Sequence, residues 1–153
     1  MNRLALMGCA AALLGLALRG DAGQQPAQGS TGTSSRSQQQ AMPHGDVEHG
    51  RYIVHQVAMC VECHSGRDRN GNIIPEQEFM GAPIPVRPSW GHDWALRAPR
   101  NAGLPGYTDE LAMRLLTEGA IGRDGNQLRP PMPRFRMNRQ DAADVIAYMR
   151  TRK

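Results

Sequence analysis

The stretch Met59-Cys60-Val61-Glu62-Cys63-His64-Ser65-Gly66 puts two of the chain's three cysteines three residues apart and follows the second directly with a histidine. On one helical turn, positions i and i+3 share a face, so both sulfurs point the same way and the imidazole lies beside them. Several chemistries use a C-x-x-C pair. A thioredoxin-like dithiol would need a strand-helix-strand setting, and none surrounds this pair. A zinc site would need four ligands, for which only the scattered His44, His49, His55 and His92 are at hand. A plain disulfide between Cys60 and Cys63 also fits an oxidising compartment.

Upstream of the pair, Val47, Gly50, Ile53, Val54, Val57 and Ala58 recur at helical spacing, with Asp46 placed as cap and Glu48 in the first turn. The pattern predicts a helix running from Asp46 directly into the cysteines. Further upstream, residues 23–43 are rich in Gln, Ser, Gly and Thr with hardly an apolar side chain. Such a segment cannot bury enough surface to offset its ordering entropy, and it reads as a disordered polar linker. Before it, Arg3, an apolar run at residues 4–18 and small residues around Ala22 have the layout of a secretory signal peptide over residues 1–22. The apolar run, at about 15 residues, falls short of a membrane span of roughly 18 or more. Cys9 precedes most of that run, the reverse of the order needed for lipid attachment. Its removal with the signal would leave Cys60 and Cys63 as the mature chain's cysteines. Export is therefore expected, to the periplasm or the outer face of the cytoplasmic membrane.

Downstream, residues 65–106 hold six Gly and six Pro without helical or strand periodicity. So long an irregular stretch is out of place in a compact domain unless the chain wraps something other than itself. Aromatics are only 5% of residues, so the protein's own core is thin, and a large apolar cofactor would supply what is missing. Two further helices are clear. One follows Thr108 as N-cap, with Asp109 and Glu110 in its first turn, Leu111, Leu115 and Leu116 as its buried stripe, and Gly119 as its stop. The last is capped by Asn138 with Asp141 three residues on, is apolar at Ala142, Val145, Ile146 and Met149, and ends in basic residues.

These surroundings favour the reading of Cys60-Val61-Glu62-Cys63-His64 as C-x-x-C-H, the pattern of c-type haem attachment. Each sulfur adds across one haem vinyl group to form a thioether, and His64 then lies beneath the ring as an axial ligand to iron. A second axial ligand is offered by Met132 in Arg129-Pro130-Pro131-Met132-Pro133-Arg134-Phe135, where flanking prolines restrict the backbone and present the thioether at low entropic cost. Met137 is the chief rival, with Met80 and His92 behind it. Met113 and Met149 sit on helical stripes and read as packing.

The order of GRYIV, CVECH, a Gly/Pro-rich middle, LLTEG, PPMPRF and DVIAYMR over about residues 46–152 resembles class I cytochrome c. It is most similar to the small monohaem domains of bacterial dehydrogenase cytochrome subunits. The resemblance implies an all-α cytochrome c fold over residues 44–153, three main helices and Gly/Pro-rich loops around one covalently bound haem c. It implies Cys60 and Cys63 as thioether sites, His64 and Met132 as axial ligands, and Gly50 packed against Tyr148 where the first and last helices cross. It also implies a proline carbonyl near Ile74-Pro75 as hydrogen-bond partner of His64. Trp90, Trp94 and Arg97 are candidate donors to the haem propionates.

With both axial positions filled, the expectation is an exported carrier of single electrons and not an enzyme. A haem subunit of a periplasmic dehydrogenase is the alternative, and a five-coordinate ligand-binding or peroxidase-like protein a more distant one. Arg129, Arg134, Arg136 and Arg139 cluster around the Met132 loop and suit docking of an acidic redox protein. A formal charge of +4 is too mild for nucleic acid binding. Membrane contact is expected only through an uncleaved N-terminal anchor.

Overall fold

The computed structural model describes residues 41–89, 91, 93–119 and 121–153. The expected export signal, nearly all of the polar linker, Trp90 and His92 lie outside the described residues. Helix α1, Val47–Tyr52, begins where the Asp46 carboxylate accepts hydrogen bonds from the Glu48 and His49 amides. It widens into a π-helical turn at Ile53–Val57, and Met59 then takes a left-handed conformation with φ 51°. Helix α2, Cys60–His64, starts afresh from there and ends at extended Ser65. The expected unbroken helix into the cysteines is thus corrected: apolar spacing carries through to Ala58, but Met59 turns the chain and gives the CVECH turn its own axis.

Helix α3, Asp109–Glu118, and helix α4, Arg139–Thr151, have the caps expected of them. The Thr108 side chain accepts from the Leu111 amide, the Asn138 side chain accepts from the Asp141 amide, and Gly119 ends α3 at φ 99°. The buried face of α3 is Ala112, Met113 and Leu116, while Leu111 and Leu115 are only half-buried. That face is rotated slightly from the leucine stripe, because Leu115 lies on the wall of a cavity. In α4, Ala142, Val145, Ile146 and Met149 are buried as their periodicity requires, and Asp144 and Tyr148 join them.

Helices α1 and α4 cross at Gly50. A Cβ there would collide with the Asp144 carbonyl oxygen and come within 3.0 Å of Tyr148 Cβ, so only glycine permits this approach. Asp144, 2% exposed, is satisfied on three sides: it accepts from the Asp46 amide at 2.7 Å, from Gln140 at 2.8 Å, and pairs with His49 Nδ1 at 2.7 Å. The far end of α4 is tied down by Arg150, which donates to the carbonyls of Gly103 and Tyr107, both at 2.7 Å, and pairs with Asp109.

The Gly/Pro-rich middle is held by local closures. The Ile74 amide returns to the Gly66 carbonyl, a 3-10 turn spans Pro75–Gln77, and β1, Ala82–Pro83, pairs antiparallel with β2, Arg97–Ala98. Although the sequence shows no strand alternation, this two-residue ladder forms because the chain doubles back there. Phe79, with no exposed surface, knots the region together. Its amide donates to Ser65 Oγ, and its carbonyl accepts from the Asn101 and Ala102 amides. Among the described residues no helix is long and apolar enough to cross a membrane.

Candidate cofactor cavity

Between these elements lies a cavity of about 530 Å³, bordered by α2, β2, residues 99–105, α3, the loop at 128–135 and α4. That is within the roughly 300–1,000 Å³ typical of small-molecule and cofactor sites. Its walls are overwhelmingly apolar, with Leu115, Leu116, Val145, Ile146 and Met149 among them. Cys60, Cys63, His64 and Met132 all reach it. Four residues spread over 73 positions of sequence, singled out for one chemistry, thus border one space.

His64 is 8% exposed, and its Nδ1 lies 2.8 Å from the carbonyl oxygen of Pro99. A carbonyl only accepts, so Nδ1 must carry the proton. Burial lowers the pKa of the ring, against a smaller opposing effect of that carbonyl. A neutral ring protonated at Nδ1 leaves a lone pair on Nε2, the state needed to bind a metal ion. The expected partner near Ile74-Pro75 is therefore corrected to Pro99. Residues 66–77 close on themselves, whereas the β1–β2 ladder carries Pro99 back to the histidine.

Cys60 and Cys63 are free and half-buried. Burial pushes the Cys60 thiol up to about 11. Redox dithiols depend on a lowered thiol pKa at the attacking sulfur, so a thioredoxin-like role finds no support in this environment. The Glu62 carboxylate between the cysteines pairs with the Arg67 guanidinium, tying the turn to the loop that follows.

Met132 is held in its loop by an amide hydrogen bond to the Arg129 carbonyl, and the Ala95 amide fastens the loop from outside through the Pro130 carbonyl. Its two methionine rivals are placed elsewhere: Met137 packs against the core cluster and Met80 is exposed, and neither borders the cavity. Of the expected propionate donors, Trp94 gives its indole N–H to the Val86 carbonyl at 3.1 Å and does not border the cavity, while Arg97 does. Of the four clustered arginines, Arg129 borders the cavity and also lies 3.8 Å from Asp93, and Arg134 and Arg136 are exposed on the same loop.

Sequence reasoning missed Asn101. It borders the cavity, and its buried Oδ1 has no hydrogen-bond partner among the described residues. A short polar residue in an irregular segment gives no signal of this. A second set of metal-type ligands, His49, Asp141 and Asp144, brings its ligand atoms within 4.8 Å of one another. There Asp144 is fully engaged in the helix crossing described above.

A family model for cytochrome c matches residues 47–153, and the chain belongs to the cytochrome c family. Membership implies a covalently bound haem c with its iron. A comparison with curated proteins gives no match. The residues present fit that group: an apolar cavity of suitable size, two free thiols three positions apart, and a neutral histidine oriented by a carbonyl.

Proposed function

We propose that this chain is an exported monohaem cytochrome of class I type that passes single electrons between redox proteins. The supporting observation is the shared cavity: Cys60, Cys63, His64 and Met132 converge on it while the competing methionines do not. In this reading Cys60 and Cys63 would hold the haem through thioethers, and His64 through Nε2 and Met132 through its sulfur would bind its iron. Bound haem iron supplies one-electron chemistry between its ferric and ferrous forms. The protein's residues provide the setting for it. The Pro99 carbonyl fixes the His64 ring and makes it a better donor. Pro131 and Pro133 hold the Met132 loop, and the leucine, valine and isoleucine walls exclude water.

Residues 1–22 act as the export signal and 23–43 as a linker to the domain at 44–153, which delivers the protein to the periplasm or the outer membrane face. With His64 and Met132 both bound to iron no position would be left for substrate, and the role would be carriage and not catalysis. The arginines at 129, 134, 136 and 139 receive an acidic partner. A role as haem subunit of a periplasmic dehydrogenase changes the partner and not the chemistry, and the linker suits it.

The test is the visible spectrum of the matured protein, oxidised and reduced, in wild type and Met132→Ala. The reading expects low-spin haem with the weak long-wavelength band of methionine-bound ferric iron, lost in the variant. A five-coordinate high-spin wild type would overturn it and favour a ligand-binding or peroxide-directed protein.

A further inference from the structure

The end of the CVECH turn and the segment that carries Pro99 meet on opposite sides of residues 77–81. On one side the Gly66 amide donates to the Gln77 carbonyl, the Phe79 amide to Ser65 Oγ at 3.1 Å and the Gly81 amide to the His64 carbonyl at 2.8 Å. On the other, the Phe79 carbonyl accepts from the Asn101 and Ala102 amides at 3.0 and 3.1 Å, and a Cβ on Gly81 would stand 2.9 Å from the Pro99 carbonyl carbon. One strip of backbone thus clasps both partners of the bond between His64 Nδ1–H and the Pro99 carbonyl. At the middle of that strip Phe79 takes φ 60°, a left-handed conformation that a bulky residue keeps only where its surroundings impose it. Its ring is fully buried, edge-on to the rings of His55 and Tyr148 with centroids 5.5 and 6.2 Å away. Beside it, one carboxylate oxygen of Glu78 lies 3.3 Å from both His55 Nε2 and Arg152 Nη2 and 3.4 Å from the Tyr148 hydroxyl. The strained residue is therefore gripped from outside by the π-helical turn and the end of α4.

We propose that Phe79 is a positioning residue for His64: through its amide on Ser65 and its carbonyl on Asn101 and Ala102, it fixes the separation of the His64 ring from the Pro99 carbonyl. The inference rests on the ligand reading of His64 above. Ser65 follows the histidine directly, and Asn101 follows Pro99 by two positions, so a strip that sets the distance between Ser65 and Asn101 sets the length of the bond between them. A shorter bond from Nδ1–H makes Nε2 more basic. A more basic Nε2 favours the ferric state of a bound iron and lowers the reduction potential. Backbone strain at Phe79 is what a spacer of fixed length requires, since a residue free to relax would let the two sides drift.

The experiment compares matured wild type with Ser65→Ala and Phe79→Leu, using Thr108→Ala as a control that removes the N-cap of α3 and leaves the strip alone. Three quantities are read: the hydrogen-exchange rate of His64 Nδ1–H in the reduced protein, the midpoint potential and the urea midpoint. In Ser65→Ala the proposal expects exchange to quicken about tenfold, the weakening of roughly one hydrogen bond, and the potential to rise. Phe79→Leu should move both in the same direction and further. Thr108→Ala should lower the urea midpoint while leaving the potential at its wild-type value, which separates positioning from a general loss of stability. Should Phe79→Leu fail to accumulate, Ser65→Ala decides alone. A wild-type potential in Ser65→Ala, with exchange altered no more than its urea midpoint requires, would overturn the proposal while the low-spin spectrum stayed intact. A wild type without low-spin haem would remove the ligand reading of His64 and the role of the strip with it.

Discussion

Gly50 carries the tightest demand on any single position of the helix crossing, because a methyl group would meet the Asp144 carbonyl oxygen, which belongs to the α4 backbone and cannot rotate away. In an unconstrained helix, alanine would be favoured by about 1 kcal/mol. Here overpacking, typically about 1–3 kcal/mol, opposes that gain, and a backbone obstacle puts the cost at the upper end. Gly50→Ala should therefore lower stability by about 2 kcal/mol, read from the urea midpoint of the matured protein. An unchanged midpoint would mean that the crossing is looser than it is drawn. Gly50 against Tyr148 was legible through the resemblance to class I cytochrome c, which implies the contact, and the missing Cβ of glycine explains why so close an approach is open. Asp144 was not. A carboxylate on a helix reads as solvent-facing, and only the packed crossing shows that the Asp46 amide, His49 and Gln140 converge on it.

That convergence makes the α1–α4 contact sensitive to pH at the level of elements. The side-chain hydrogen bond to Asp144 raises the pKa of His49 above its ordinary 6.5, with Asp141 and Asp46 adding to the effect. Burial works to raise the pKa of Asp144, but the Asp46 amide, His49 and Gln140 outweigh it and hold it below the ordinary 3.8. A raised histidine contributes stability that is complete below 6.5 and lost as pH climbs through its folded value. A depressed carboxylate contributes stability that is complete above 3.8 and lost as pH falls through its folded value. The two overlap between 3.8 and 6.5. The difference in urea midpoint between wild type and His49→Gln should be greatest in that window and shrink at higher pH; a flat difference would show that the pair does not act as a charged contact. Capping made the elements themselves readable, since Thr108 and Asn138 lie where their side chains must meet the first amides of α3 and α4. The break before CVECH was unreadable, because nothing about a methionine announces φ 51° at Met59. Pro99 was hidden for a related reason. Its 35-residue separation from His64 is set by where the β1–β2 ladder closes, not by local pattern.

Along the chain, positive charge gathers on the stretch that carries Met132. No Asp or Glu occurs in residues 127–140, the stretch that carries Met132 and the four arginines. The Debye length falls from about 30 Å at 0.01 M to about 8 Å at 0.15 M ionic strength, so exposed opposite charges attract over a much shorter range at physiological salt. Electron exchange with an acidic redox protein should accordingly slow as salt rises, and Arg134→Gln with Arg136→Gln should flatten that dependence. A second-order rate constant indifferent to salt would dismiss the docking role of this rim. At this scale the sequence was most informative through what it lacked: few aromatics and a long Gly/Pro-rich span without periodicity, which the cavity explains as a shell built to enclose another molecule.

The same hollow bears on the protein's life before it functions. Until haem is attached, the central walls, Leu116, Val145, Ile146 and Met149 among them, lack the partner that the cavity of about 530 Å³ is shaped for, and the chain forgoes much of the apolar contact that holds a domain of this size together. Anything that binds only the folded form shifts the balance toward it. Newly made chains that have not received haem would thus open more often and be cut sooner by proteases, so the amount of this protein that accumulates should track the supply of haem.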